Sequence, residues 1–195
     1  MDAFEQIVKV VLEGEGWWVR QGYKVELTKD EKVAIGRHSS PRWEIDLVAY
    51  KPSTNQILAV ECKSFLDSRG VTASEFFESD TATKARYKLF NEAKLREVVL
   101  RRLKFQMAAE GLALPDSQVR LAMAVGKFKS PSDREALRKK FDERGWQLID
   151  DDQMRRWALK LSERGYEDSV ATIVAKLIAP EVAKITRAGQ ARTMN

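Results

Sequence analysis

Hydrophobic positions recur with helical spacing at Phe4, Ile7, Val8, Val11 and Leu12, which predicts an amphipathic helix over 3–14. Asp2 suits its N-cap, and Gly14 with Gly16 suits its end. The pattern then changes. Residues 17–28 carry aromatic and branched side chains and alternate from Tyr23 to Leu27, as a strand does, with Gly22 a candidate bulge. A polar loop is expected over 29–42, with Val33–Ile35 as a brief extra strand. Two apolar strands follow at 43–51 and 56–64, joined by a turn of Pro52, Ser53, Thr54 and Asn55.

Asp67 to Gly70 reads as loop, and Thr72 with Glu75 resembles a capping box opening a short helix through Phe76 and Phe77. A single long helix is expected over 83–110, with Leu89, Ala93, Leu100, Leu103 and Met107 on or near its buried side and Gly111 as its stop. Residues 119–126 alternate cleanly as a strand. Ser132 with Glu135 predicts a helix to about 144, Trp146 to Ile149 a final short strand, and Asp150 to Asp152 the acidic start of another helix. A last helix is expected over 168–187, kinked or ended by Pro180. The order α-β-β-β-α-β-α-β plus two helices implies an α/β fold around a mixed sheet. Three strands form a meander, and the strand after the long helix returns parallel. We expect one domain: a core over 1–150, a helical extension over 151–187 and a tail over 188–195.

Three charges break the apolar pattern of the central strands: Asp46, Glu61 and Lys63. Glu61 and Lys63 share one strand face, because side chains alternate, and a hairpin can bring Asp46 beside Glu61. Ile57 to Val60 are apolar on both faces, as in a central strand, and charges ending such a strand usually have a partner or a task. Two carboxylates and the Cys62 backbone carbonyl would make an oxygen-ligand set for Mg²⁺, with Mn²⁺ as a substitute, open to waters and a phosphate oxygen. Lys63 would then hold or deprotonate an attacking water, or neutralise charge developing on the phosphate. The competing structural reading is a plain Glu–Lys pair on a solvent face.

Length and composition set bounds. The chain has 195 residues, 44% of them hydrophobic, and a net charge of +5, compatible with nucleic acid without requiring it. One cysteine, Cys62, permits no internal disulfide and no cysteine-based zinc cluster. Its same-parity neighbours Leu58 and Val60 make it a core residue. No apolar run is long enough to span a membrane, and Asp2 and Glu5 oppose a signal peptide, so a cytoplasmic protein is expected.

Ile45-Asp46, fourteen residues, then Glu61-Cys62-Lys63 resembles the PD-(D/E)xK nuclease signature, with Ile45 where the name has proline. Upstream, Ala3 to Val8, Leu12 and Gly16 to Arg20 are similar to the opening helix and strand of archaeal-type Holliday-junction resolvases. The resemblance covers residues 3–126. It implies a restriction-endonuclease-like α-β-β-β-α-β core with a mixed central sheet flanked by helices, and metal-dependent endonucleolytic hydrolysis of DNA. It also places Glu5 where those families carry a supporting glutamate, although Asp2 and Glu5 equally fit a capping box. Lys84, Arg86 and Lys88 on the basic helix, with Arg37 and His38 from the polar loop, are the candidate DNA contacts; such contacts position a backbone and do not read sequence. An inert loop residue is the competing reading for His38, and a merely solvated helix for the three cations. A homodimer would suit cutting of two strands. A catalytically silent nuclease-like module that binds DNA or a protein partner is the alternative.

Overall fold

The computed structural model describes residues 2–38, 42–77, 85–163, 165 and 169–179. The chain divides into two compact units, residues 1–151 and 152–195. In the first, α1 (Ala3–Gly14) is followed by β1 (Trp18–Val25), α2 (Lys29–Ala34), β2 (Trp43–Lys51) and β3 (Gln56–Lys63). Then come α3 (Ala73–Phe77), a 3-10 turn (Ala85–Tyr87), α4 (Lys88–Asn91) and α5 (Ala93–Ala109). The unit closes with β4 (Gln118–Val125), α6 (Pro131–Glu143) and β5 (Gln147–Ile149).

The five strands form one sheet in the order β1-β2-β3-β4-β5. The first three are antiparallel neighbours, whereas β4 runs parallel to β3 and β5 parallel to β4. This is the expected mixed sheet flanked by helices, although α2 enters between β1 and β2, where the sequence predicts an uninterrupted run of three strands. One face buries Ile57, Ala59, Leu121, Met123 and Val125 in a cluster with Leu95, Val98, Val99, Leu103 and Met107 of α5. Leu58 and Val60 have the opposite parity, and Phe4, Val8, Val11 and Leu12 of α1 are buried separately from that cluster.

Three sequence expectations need correction. The segment around Val33 is the helix α2, because Thr28 and Glu31 form a reciprocal capping box that satisfies its first N–H groups. The long helix is broken. Glu92 is extended, with φ −101° and ψ 97°, so α4 and α5 are separate. Adjacent Leu89 and Phe90 are both buried, and Phe90 packs among Phe76, Phe141 and Trp146. The Arg96 guanidinium donates to the Leu89 and Phe90 carbonyls at 3.2 and 2.9 Å, satisfying acceptors that the break leaves open. Finally, α6 is capped by Ser130, not Ser132: the Ser130 hydroxyl accepts from the Asp133 N–H at 3.1 Å.

Helix α7 (Asp151–Ser162) continues into the second unit, whose residues 170–179 are also helical. Pro180 and the 188–195 tail lie outside the described residues. No helix among the described residues is long and apolar enough to cross a membrane.

Candidate active site

The site is built where two strands part. Pairing between β2 and β3 ends at Leu47 opposite Val60. Beyond that point β2 stays with β1 as far as Trp43, and β3 stays with β4 as far as Lys63. The sheet is forked there. The Gly126 N–H donates to the Lys63 carbonyl at 2.9 Å and extends the β3–β4 ladder past the last strand residue. A side chain at Gly126 would put its Cβ 2.4 Å from the Ser64 carbonyl oxygen, so only glycine allows this approach.

A second irregularity turns Asp46 into the fork. Val48 and Tyr50 belong to the cluster on the α5 side, yet so do Ile45 on β2 and Tyr23 and Val25 on β1. Strict alternation would put Ile45 with Leu47 on the other face. Both strands therefore change parity at one level, between Gln21 and Tyr23 and between Leu47 and Ile45, and their mutual register is unchanged on either side. Gly22, opposite Asp46 and at φ +60°, supplies the left-handed backbone that this requires. The bulge expected at Gly22 is thus a paired distortion of two strands, with no one-sided insertion.

The Asp46 carboxylate accepts the Cys62 N–H at 2.7 Å, a bond that a β2 carbonyl would have made had the ladder continued. Because the Lys63 carbonyl faces β4, the Cys62 carbonyl faces the β2 side, into the same fork. Glu61 and Lys63 lie on one face of β3, and Lys63 Nζ is 3.6 Å from Glu61 Oε2, with both side chains largely covered. Burial pushes the Glu61 carboxyl up to about 7; Lys63 opposes that rise, and the charges of Asp46 and Glu5 add to it. Burial also pushes the Cys62 thiol up, and the Asp46 and Glu5 charges push it further.

Glu5 is near enough for its charge to act on Glu61 and Cys62, but it does not join their cluster. Its Oε2 accepts from Gln21 Nε2 at 2.7 Å, and Gln21 Oε1 in turn accepts from Gln6 Nε2 at 2.6 Å. The cap of α1 is made by Asp2 alone, whose Oδ1 accepts from the Phe4 N–H at 2.8 Å. Gln21 is thus the residue that holds the Glu5 carboxylate, and the sequence gives no sign of it, since one glutamine in a strand carries no signature.

The candidate DNA contacts are not gathered at the fork. Arg37 is engaged in a two-pronged ion pair with Glu92 at 3.0 and 3.1 Å, and lies over the Trp43 ring. His38 and Arg86 are exposed and Lys88 is half-buried; none of the three bonds to Asp46, Glu61 or Lys63. Lys84 lies outside the described residues.

Among the described residues, no three or more His, Cys, Asp and Glu side chains are grouped so as to hold a metal unaided. The candidate donors that the sequence suggests, Asp46, Glu61 and the Cys62 carbonyl, amount to two carboxylates and a main-chain oxygen. That set fits Mg²⁺, which keeps several waters and takes one or two carboxylates. Burial is the main reason the Glu61 carboxyl is raised, with the Asp46 and Glu5 charges adding to it, and a bound cation would oppose both.

The fold and fork together define a mixed α/β protein with two carboxylates and a lysine at the parting of its central strands. No protein-family model and no curated protein matches the chain. Among solved structures it is similar to an XisH family protein from Nostoc punctiforme, with 17% identity and a TM-score of 0.39, over 78% of this chain and 94% of that one.

Proposed function

We propose that the chain is a metal-dependent endonuclease that hydrolyses DNA phosphodiester bonds with a PD-(D/E)xK-type site. The observation that carries this reading is the fork, where Asp46, Glu61, Lys63 and the Cys62 carbonyl converge on an opening in the sheet. Asp46, Glu61 and the Cys62 carbonyl would hold Mg²⁺ or Mn²⁺. A divalent ion there supplies charge neutralisation at the phosphate and a more acidic water. Lys63 Nζ, held on the same strand face as Glu61, either positions the water or balances charge on a non-bridging phosphate oxygen. Glu5, fixed by Gln21, adds negative charge beside the fork and supports the ion or its water. Exposed Arg86 supplies a cation and exposed His38 a hydrogen-bonding ring for the backbone, and the chain's net charge of +5 favours a polyanion.

The test is a cleavage panel of branched, linear and single-stranded DNA with Mg²⁺, Mn²⁺ or chelator. Cutting that needs the metal and is lost in Asp46→Ala and Lys63→Ala supports the reading; equal cutting by those variants refutes it. One observation favours the silent-module alternative: the Asp46 and Glu5 carboxylates already accept protein hydrogen bonds. Tight DNA binding with no cleavage in either metal would select it.

A further inference from the structure

At the other end of β4, a cleft of about 310 Å³ opens between α5, the start of β4 and the turn before β5. Three arginines line it, one from each element: Arg96, Arg120 and Arg144, around Trp146. Arg120 and Val125 bracket five residue steps of β4, so the cleft lies about 16 Å along the strand from the fork.

The charge there is not balanced from within. Many arginines elsewhere in this unit meet carboxylates, as Arg37 with Glu92, Arg102 with Glu31 and Arg134 with Asp151. Among the described residues, none of the three cleft arginines has such a partner. The only acid lining the cleft, Glu97, lies beside Lys94 and Arg101 at 3.5 and 3.6 Å. Arg96 and Arg120 are fixed by main-chain carbonyls: Arg120 Nε and Nη2 donate to Gly145 and Trp146 at 3.0 and 3.1 Å. Arg96 and Arg144 also lie against the Trp146 ring, 5.0 and 5.8 Å from its centroid. Each of the two anchored guanidinia uses only part of its five-donor fork on the protein, and the Arg144 guanidinium makes no hydrogen bond among the described residues.

Gathering like charges around one cleft without an acid costs stability unless an anion joins them. We infer that this cleft binds a phosphate group, with Arg96 and Arg120 as preset walls and exposed Arg144 as the arm that closes on it. Guanidinium forks match phosphate oxygens in planar, two-point contacts, so arginine is the residue type the ligand requires. In agreement, burial and the neighbouring Arg144 charge both hold Arg96 below the usual arginine range. The phosphate comes either from a small oligophosphate or from a nucleic-acid backbone. The inference stands whether or not the fork cuts DNA.

Isothermal titration at low salt in EDTA separates these outcomes. Pyrophosphate and a short DNA duplex are each titrated into wild type and Arg144→Gln, a variant that removes no hydrogen bond or ion pair from the fold. The expected result is pyrophosphate binding that weakens at least tenfold in Arg144→Gln and is partly restored in Arg144→Lys. Duplex binding that weakens in parallel, with pyrophosphate as competitor, assigns the phosphate to a backbone. Duplex binding indifferent to Arg144 assigns it to a small ligand. Absence of pyrophosphate binding, or equal binding by Arg144→Gln, overturns the inference.

Discussion

Buried and half-buried acids are treated in two ways among the described residues. Where α6 meets β5, Asp150 and Asp151 are 5% and 4% exposed, and each faces an arginine of α6. Arg138 contacts Asp150, and Arg134 grips Asp151 through two bonds at 2.8 and 2.9 Å. At the fork, Asp46, Glu61 and nearby Glu5 share one cation among the described residues, Lys63, 3.6 Å from one Glu61 oxygen. The first region is closed, since its acids bring their own counter-charges. The second keeps negative charge in excess, and Glu61, raised chiefly by burial and further by the Asp46 and Glu5 charges, holds its proton up to about 7. Acids that only build structure are neutralised by the chain, whereas acids left in surplus at an opening are suited to an outside cation.

The largest expected effect separates the regions by activity. Lys63→Ala should lower metal-dependent cleavage by about 10³-fold, equivalent to about 4 kcal/mol of barrier. Its cost to stability should be small, because Glu61 can take up a proton when its cation goes. Arg134→Ala should do the reverse. It leaves Asp151 buried without its two-pronged partner, so unfolding in urea should show a loss of about 3 kcal/mol, with cleavage by the remaining folded protein unchanged. If Lys63→Ala destabilises as much as Arg134→Ala, the fork is an ordinary buried ion pair and the contrast fails.

The next effect is in pH. Glu61 in the folded chain takes a proton at about 7, against 4.5 ordinarily. Between those values the folded state binds more protons than the unfolded state, so this group's contribution falls as pH rises toward 7 and stays low above it. Glu61→Gln, which copies the protonated form, should therefore raise stability at pH 8 by at most about 3 kcal/mol and change nothing at pH 4. Thermal unfolding in chelator reads this directly. Adding Mg²⁺ should narrow the gap at pH 8 by stabilising wild type and not Glu61→Gln. A gap that is independent of pH would place Glu61 in a solvated, ordinary environment.

The same contrast explains what the sequence could reveal. Asp46, Glu61 and Lys63 stood out because charges interrupt strands that are otherwise apolar, and the strands themselves follow from simple alternation. The alternation rule hides what happens at Gly22 and Asp46, where two strands change parity together; a residue-by-residue pattern has no mark for a distortion that leaves the register intact. The break at Glu92 was hidden because its cause is distant. Phe90 turns in to meet Phe141 and Trp146, and Arg96 covers the exposed carbonyls. Arg96, Arg120 and Arg144 read as separate surface charges until three elements bring them to one cleft. Helix α2 is the exception: Thr28 with Glu31 is a legible capping pair, outweighed in the sequence by the β-branched Val33 and Ile35.

The smallest effect tests whether Glu5 belongs to the fork or merely neighbours it. Gln21 sits on β1 directly opposite Leu47, one residue from Asp46, and donates to Glu5 while accepting from Gln6. Gln21→Ala removes the donor that aims the Glu5 carboxylate without touching Asp46, Glu61 or Lys63. Loss of one hydrogen bond to a charged group is worth about 1.5 kcal/mol, so cleavage should fall about tenfold. The fall should be in kcat, with DNA affinity in chelator unchanged, since no backbone contact is lost. Gln21→Glu should be worse than Gln21→Ala, because a second carboxylate at 2.7 Å repels Glu5 and adds charge to a site already in surplus. If Gln21→Glu and Gln21→Ala both cut at the wild-type rate while Glu5→Gln also does, Glu5 is a bystander, and the surplus that matters is carried by Asp46 and Glu61 alone.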